Sequence, residues 1–551
     1  MFKWVSIARL GLIAALFILV ILSASPVLAD PALLDPTPIT VKENALSAKY
    51  AELLQEGRYA ELDKDVNQLQ QDFERGKWND VNLMHIFSAF YDTDLGLEEK
   101  YNAWIAAFPK SYAALEARAT YYRRLAYHAR GGDYISQTTE HQISSMESFL
   151  KKAVTDAHLA ADRTAKPVLS YFGIFSAAML VGDQKTKEEI LNKTIKIDPK
   201  NFSVRYKYMI SLETKWGGSL EKMQEFRKEV RNAGLSKKQL SYLDELVSDE
   251  ANWLGIRYLA GTDVKQDYKL AMELFQKGAL MGNVRSEINI GLMYGNGWGV
   301  QKDIAEAMRW YKKAEFRGYW GAQNYIGRLY KNALTPVNYD EALRRFRLGA
   351  AHDDTASQIS LGLMYQEGNG VKQDYVEAMK WYKKAEFNGD FAAESYIAEL
   401  YQHGKPGIPA DPAEAIRRFR RGAEHGNAAA QYHLGSCYEW GKGVRPDNSQ
   451  ALIWYQKAAD QGDTNAQIGL GRLYSSKAAM NNSPQEMDVA IMWYQKAADQ
   501  GDPNGAKLVE QARRDKATVQ KNLEYMQHRA KPGFVKSTTD AISSFFGGSI
   551  P

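Results

Sequence analysis

Through residues 251–502 apolar positions recur at helical spacing in short blocks, and most blocks close on a tyrosine before a polar or glycine-rich stretch. The clearest block, LGLMYQEGNGVKQDYVEAMKWYKKAEFNG at 361–389, matches IGLMYGNGWGVQKDIAEAMRWYKKAEFRG at 290–318 in 19 of 29 positions. Aligned on its tyrosine, the pattern runs through Tyr258, Tyr294, Tyr330, Tyr365, Tyr401, Tyr438 and Tyr474 in steps of 36, 36, 35, 36, 37 and 36 residues. That period suits a helical hairpin and is too long for a pair of strands. Seven units follow, each with a helix A ending near the tyrosine, a glycine loop and a helix B.

Each recurring residue type has a mechanical reason. Gly255, Gly291, Gly327, Gly362, Gly435 and Gly471 sit inside helix A, where glycine costs roughly 1 kcal/mol, so close packing must offset the cost. Gly297 and Gly299, like Gly368 and Gly370, supply the positive φ of a sharp reversal. The aspartate that follows predicts a helix N-cap, completed as a capping box by Asp303 with Glu306, Asp374 with Glu377 and Asp411 with Glu414. Pro412 fits the first helical position. Helix B carries an alanine and, four residues on, an aromatic, from Ala271 and Phe275 to Ala490 and Tyr494.

One column breaks the monotony. Three residues after the alanine stand Leu274, Trp310, Arg345, Trp381, Arg418, Trp454 and Trp493. A position that accepts both Trp and Arg is not ordinary dry core, and the alternation points to an ancestral unit of about 72 residues. If these side chains are partly exposed, Trp310, Arg345, Trp381, Arg418, Trp454 and Trp493 form a stripe of the residue types that dominate interface energetics. The opposing expectation is that each Trp packs on the neighbouring unit and each Arg runs past it into solvent.

The phrases L-G-x-x-Y, G-x-G-V-x-x-D and A-x-x-W-Y-x-K-A, recurring over about 250 residues, resemble the Sel1-like repeat family, a relative of the tetratricopeptide repeat. The resemblance implies an all-α fold, an α-solenoid or superhelix of helical hairpin repeats whose concave surface holds a protein or peptide. It also implies a scaffold, adaptor or regulator in the cell envelope or at the host interface. Some cysteine-rich members are associated with β-lactam binding or hydrolysis, which gives a second reading: an enzyme or modulator directed at peptidoglycan.

Upstream, residues 30–250 show helix boundaries at Gly57, at Trp104 to Pro109 and at Asp198-Pro199, with almost no hairpin signals. Thr40 is a candidate cap for the first helix. The phrases FPKSYAALEARATYY and KIDPKNFSVRYKYM resemble tetratricopeptide-like repeats. Together with RGGD at 130–133 and WGGS at 216–219 they also resemble an uncharacterised helical domain that precedes repeat arrays in bacterial proteins. From Asn504 a charged helix with Arg513, Arg514 and Lys516 is expected to cap the array through about residue 532, followed by a tail at 533–551.

The first 29 residues read as a secretory signal peptide: Lys3 and Arg9, an uncharged run from Leu10 to Leu22, then Val27 and Ala29 before Asp30. A mature chain starting at Asp30 is expected; an uncleaved anchor is the alternative, since Leu10 to Ala29 is just long enough to reach across a bilayer. No other stretch is apolar for long enough, so no stable membrane insertion is expected after cleavage. Export without paired cysteines favours a bacterial periplasmic protein, with secretion or signal anchoring as alternatives. The net charge of +4 over 551 residues is nearly neutral and no basic block stands out, so a nucleic-acid partner is not indicated.

Candidate chemistry is thin, and the repeat supplies an internal control. Cys437 and His433 lie four apart on one helix face, a spacing suited to a metal or to a nucleophile and base. Cys437, however, shares its column with Arg257, Met293, Leu329, Met364, Leu400 and Leu473, which reads most simply as a small core residue, and His433 shares its own with Trp253, Tyr325 and Tyr396. Ser219 and Lys222 form an S-x-x-K match without S-D-N or K-T-G partners. Gly295, Gly297 and Gly299 imitate a phosphate loop but follow a helix rather than a strand. No catalytic, cofactor or metal residues are therefore assigned.

Overall fold

A computed structural model of the chain describes residues 41–131, 138–261 and 263–529. The expected signal peptide, Thr40, Gly132 and Asp133 of the RGGD phrase and the tail at 533–551 lie outside the described residues. Every regular element is helical, and the bridge between Lys405 and Ile408 is the only β pairing among the described residues.

The helices divide into two compact units, one through Ile290 and one from Gly291. The first holds α1 (Val41–Gln55), α2 (Tyr59–Glu74), α3 (Asp80–Phe87), α4 (Leu97–Ala107), α5 (Tyr112–Arg130), α6 (Glu140–Ala161), α7 (Val168–Leu180), α8 (Gln184–Ile197), α9 (Ser203–Ser211), α10 (Leu220–Val230), α11 (Lys237–Ala260) and α12 (Tyr268–Leu280). Helix α13 (Val284–Asn296) carries the division. The second unit continues with α14 (Ile304–Phe316), α15 (Ala322–Asn332), α16 (Tyr339–Ala351), α17 (Thr355–Glu367), α18 (Tyr375–Phe387), α19 (Ala392–His403), α20 (Pro412–Glu424), α21 (Ala428–Trp440), α22 (Asn448–Asp460), α23 (Thr464–Asn481), α24 (Pro484–Asp499) and α25 (Pro503–Arg529). No helix among the described residues is long and apolar enough to cross a membrane.

In the first unit, α1 to α7 close around Trp104, which is fully buried and donates its indole N–H to Asp63 at 3.0 Å. Phe87, Phe90, Tyr101 and Tyr121 pack beside it with centroids 4.8 to 6.3 Å apart. Charge is buried here too. Asp80 accepts from the backbone N–H groups of Phe202 and Ser203 at 3.0 and 2.8 Å, which caps α9 from a distant helix. Helix α11 runs unbroken from its cap at Ser236 to Gly261, straight through the boundary expected at 250/251. Nothing between those residues ends a helix, so the first repeat's helix A is the second half of a longer one.

In the repeats, the helix A glycine makes room for the aromatic ring of helix B. A Cβ on Gly362 would lie 2.3 Å from the Tyr382 ring, and one on Gly291 would lie 2.4 Å from Tyr311. The loop glycines take the left-handed conformation, with φ of 73° at Gly368 and 70° at Gly370. The predicted aspartate caps form, but the reciprocal half of each capping box does not. Asp303, Asp374 and Asp411 accept from the backbone of Glu306, Glu377 and Glu414. Those glutamates turn instead to cations one turn on, Arg309, Lys380 and Arg417, because a charge-assisted bond is stronger than one to a neutral backbone donor. Complete boxes occur at Asn79, Thr139 and Ser236. Helix α25 packs Val509, Ala512 and Val519 against Ala478, Met487, Ala490 and Tyr494, closing the last hairpin.

Candidate interaction surface

The Trp and Arg column lies at the joints between successive hairpins. Trp381 rests on the cluster built by Ala342, Leu343, Phe346 and Leu361, and Trp454 on that built by Ala415, Phe419 and Leu434. Trp493 is 5% exposed and belongs to the Tyr455 and Leu470 cluster. Each indole is covered by the lysine one turn later: Lys313 lies 4.5 Å from the Trp310 ring centre, Lys384 5.9 Å from Trp381, Lys457 4.3 Å from Trp454 and Lys496 3.9 Å from Trp493. Trp310, Trp381 and Trp454 remain half-buried.

The two arginines do not run past into solvent. Arg345 donates to Glu341 at 2.8 Å, to Glu315 of the preceding hairpin at 3.0 Å and to Gln323 at 3.2 Å. Arg418 repeats the arrangement with Glu414 at 2.8 Å, Glu386 at 2.8 Å and Glu394 at 3.0 Å. Burial works against the Arg418 charge, but its hydrogen bonds to Glu414 and Glu386 outweigh this and hold it above its ordinary range. Hydrogen bonding to Arg344, with Arg345 adding to it, pulls the Glu341 carboxyl down to about 2.

A column of helix A that the sequence reading passed over explains why Arg and Trp alternate. Gln323, Glu394, Gln358, Gln431 and Gln467 occupy equivalent positions and are all buried. Each needs a donor from helix B of its own hairpin. Where the column holds Arg, the guanidinium supplies it. Where the column holds Trp, the residue after helix B does so: Asn388 to Gln358 at 3.2 Å, Gln461 to Gln431 at 2.7 Å and Gln500 to Gln467 at 3.0 Å. The Arg hairpins carry a histidine at that last position, freed to stack on an aromatic: His352 on Trp320 and His425 on Phe391, both at 3.5 Å. Burial pushes the Glu394 carboxyl up, against the pull of Arg418.

The remaining candidates settle into structural roles. Cys437 is fully buried, accepts from Gln402 at 3.3 Å, and has its thiol pushed up to about 11 by burial. His433 stacks on Phe419 at 4.9 Å and meets Glu399 at 3.0 Å. Ser219 caps α10 by accepting from the Lys222 backbone at 3.3 Å. A polar groove in the first unit is lined by Asn67, Gln70, Glu74, Ser111 and Thr164, but these bond one another: Asn67 to Ser111 at 3.0 Å, and Gln70 to Thr164 at 2.9 Å.

What the sequence reading missed is the most exposed apolar material of the array. Phe316 and Phe387 end α14 and α18 at equivalent positions and are 92% and 89% exposed. The signal was present in the repeated AEF phrase, whose third residue is Ala351, Glu424, Asp460 or Asp499 in later units. A position free to be acidic elsewhere is a surface position.

The Sel1 repeat family model matches residues 251–283, 284–315, 320–354, 355–386, 392–427, 428–463 and 464–502, and a domain of unknown function (DUF4034) matches residues 47–191. A Sel1 repeat protein from Oxalobacter formigenes of known structure is 32% identical over 43% of this chain and 94% of its own, with a TM-score of 0.34. A protective antigen of uropathogenic Escherichia coli displaying an SLR fold is 22% identical over 76% and 94%, with a TM-score of 0.27. Yeast Tom70 is 15% identical over 90% and 99%, with a TM-score of 0.39. Among curated proteins none matches.

Proposed function

The chain belongs to the Sel1 repeat family, whose members generally mediate protein–protein interactions, and we propose that it is an exported, non-enzymatic scaffold of the bacterial envelope or host interface that holds a protein or peptide partner. The observation that carries this reading is the division of labour within the hairpin. The buried Gln and Glu column and its donors fix each hairpin by hydrogen bonds, while the outer columns of helix B change from unit to unit. A rigid frame with a variable surface suits recognition, because little order is lost when a partner binds.

Residues 1–29 support export. Fractionation of cells and N-terminal sequencing of the mature protein test this, with Asp30 expected as the first residue in the periplasmic fraction; recovery from the cytoplasm with Met1 retained would refute export. Cross-linked capture by the purified protein from an envelope extract is expected to yield specific partners. Turnover of purified sacculi that a single acidic substitution abolishes would replace the scaffold reading with a peptidoglycan-directed enzyme.

A further inference from the structure

The outer face of helix B changes character abruptly along the array. Two residues after the repeat alanine stand Arg309, Arg344, Lys380 and Arg417, and five after it stand Lys312, Arg347, Lys383 and Arg420. In the hairpin before, these positions are Glu273 and Gln276; in the two after, they are Ile453 with Gln456 and Met492 with Gln495. Eight cations therefore occupy two registers of α14, α16, α18 and α20 and no others.

The two registers differ in what they meet. The first pairs within its own helix: Arg309 with Glu306 at 2.7 Å, Arg344 with Glu341 at 2.6 Å, Lys380 with Glu377 at 2.8 Å and Arg417 with Glu414 at 2.5 Å. The second is exposed, and among the described residues Lys312, Arg347 and Lys383 form no ion pair, while Arg420 only meets the Tyr438 hydroxyl at 3.1 Å. Phe316 and Phe387 stand four residues beyond Lys312 and Lys383, so each lysine and phenylalanine share one helix face. Long polar side chains bridge successive members of this set. Arg345 ties α16 to Glu315 of α14, Lys384 ties α18 to the Ala350 carbonyl of α16 at 3.3 Å, and Arg418 ties α20 to Glu386 of α18.

We infer that this face of α14, α16, α18 and α20 docks an acidic protein segment carrying two large apolar side chains, one against Phe316 and one against Phe387. The inference rests on the scaffold reading and names the chemistry of the partner. Charge complementarity selects the occupant: four unpaired cations in one row require carboxylates opposite, and two nearly fully exposed phenyl rings require apolar cover. A row of carboxylates, Glu306, Glu341, Glu377 and Glu414, runs parallel to the cations. The first register of cations neutralises these carboxylates, and the charge left over, Lys312, Arg347, Lys383 and Arg420, is interrupted by the two phenyl rings, a pattern matched by single acids set between apolar anchors of a peptide and not by the unbroken charge of a polynucleotide. The chain's own residues 530–551 carry Lys531 and Lys536 against Asp540 and do not complement the face.

The test uses the full mature protein and four fluorescent or immobilised probes: a 20-residue peptide of Glu with two Leu-Phe anchors, the same peptide with Lys for Glu, phosphatidylglycerol vesicles, and a single-stranded DNA 20-mer. The acidic peptide is expected to bind best, weakening as salt rises. The triple variant Lys312→Glu, Arg347→Glu, Lys383→Glu is expected to bind it at least ten-fold more weakly, as is Phe316→Ser with Phe387→Ser, both keeping wild-type circular dichroism. Equal binding by wild type and triple variant, or preference for the basic peptide, the vesicles or the DNA, overturns the inference. Cross-linked capture separates it from the broader reading. Partners held equally by wild type and triple variant leave the scaffold standing and remove this face, whereas no partner for the wild type removes the scaffold itself.

Discussion

Between residues 41 and 290 apolar side chains merge into large shared cores, one of which runs from Tyr50 to Phe172, whereas from Gly291 onward each joint between hairpins has a small cluster of its own. The units also differ in how they treat charge. The first buries Glu116, Asp80 and Lys207 within its core; the second pairs carboxylates at its joints, the buried Glu394 included, with arginines. A shared core spreads a lesion over many helices, while a chain of joints confines it to nearest neighbours. The difference fixes what each region can vary: the array tolerates changed outer columns because no distant element depends on them.

The strongest way to break this comparison is Trp104→Ala. It removes the largest fully buried side chain of the first core and takes one of its donors from Asp63, which keeps Asn67, so a loss of about 3 to 5 kcal/mol is expected. Amide exchange should rise across α1 to α7 together and stay unchanged beyond Gly291. Acceleration confined to α4 would show that the first unit is as modular as the second.

Trp381→Ala should come next. The side chain is half-buried on the cluster of Ala342 and Phe346, so the expected loss is about 2 to 4 kcal/mol, below that of a fully buried ring. The exchange effect should be limited to α16, α17 and α18. A loss under about 0.5 kcal/mol, typical of surface substitutions, would mean that the ring is not part of the joint.

The sequence revealed the array because the hairpin is written seven times, and each of its column rules refers to residues within one helix or one loop. Gly362 and the alanine-to-tyrosine step of α18 were legible for that reason. The job of Arg345 and Arg418 was not, since their partners Gln323 and Glu394 lie 22 and 24 positions away in a column that looks like ordinary helix surface. The basic face escaped notice on the same grounds: cations spread one helix apart form no block along the chain, and only the stacking of α14 to α20 gathers them. Before residue 251 nothing recurs at a fixed period, so pairs such as Asp80 with Ser203, 123 positions apart, leave no signal in a sequence read alone.

Arg418→Met sharpens the account of the joints. It leaves Glu386 and Glu394 facing each other without their shared cation, although Arg421 still reaches both at 3.0 Å. A loss of about 1 to 3 kcal/mol is expected, the cost of a buried polar group losing its partner. Adding Glu394→Gln should recover most of it, because the side chain then carries no charge and, like Gln323 toward Glu315 at 2.7 Å, brings a donor of its own toward Glu386. Failure of that rescue in denaturant unfolding would show that the loss comes from the missing hydrogen bond to helix A rather than from an uncompensated charge.

The mildest test separates the two regions by pH. Glu116 is buried and bonds Ser170 at 2.5 Å; burial pushes its carboxyl up to about 7 against an ordinary value near 4.5. A raised carboxyl contributes stability that is full below about pH 4.5 and is lost as pH rises toward 7, with a slope of at most about 1.4 kcal/mol per unit. Glu341 behaves oppositely: with its carboxyl pulled down to about 2 by Arg344 and Arg345, its contribution is present above about pH 4.5 and lost as pH falls toward 2. Unfolding measured against pH should therefore show Glu116→Gln flattening the profile only between about pH 5 and 7. Glu341→Gln should flatten it only below about pH 4.5, with a smaller amplitude because that carboxyl sits near solvent. If both variants changed the same limb, the contrast between a core that hides its carboxyls and joints that pair them would not hold.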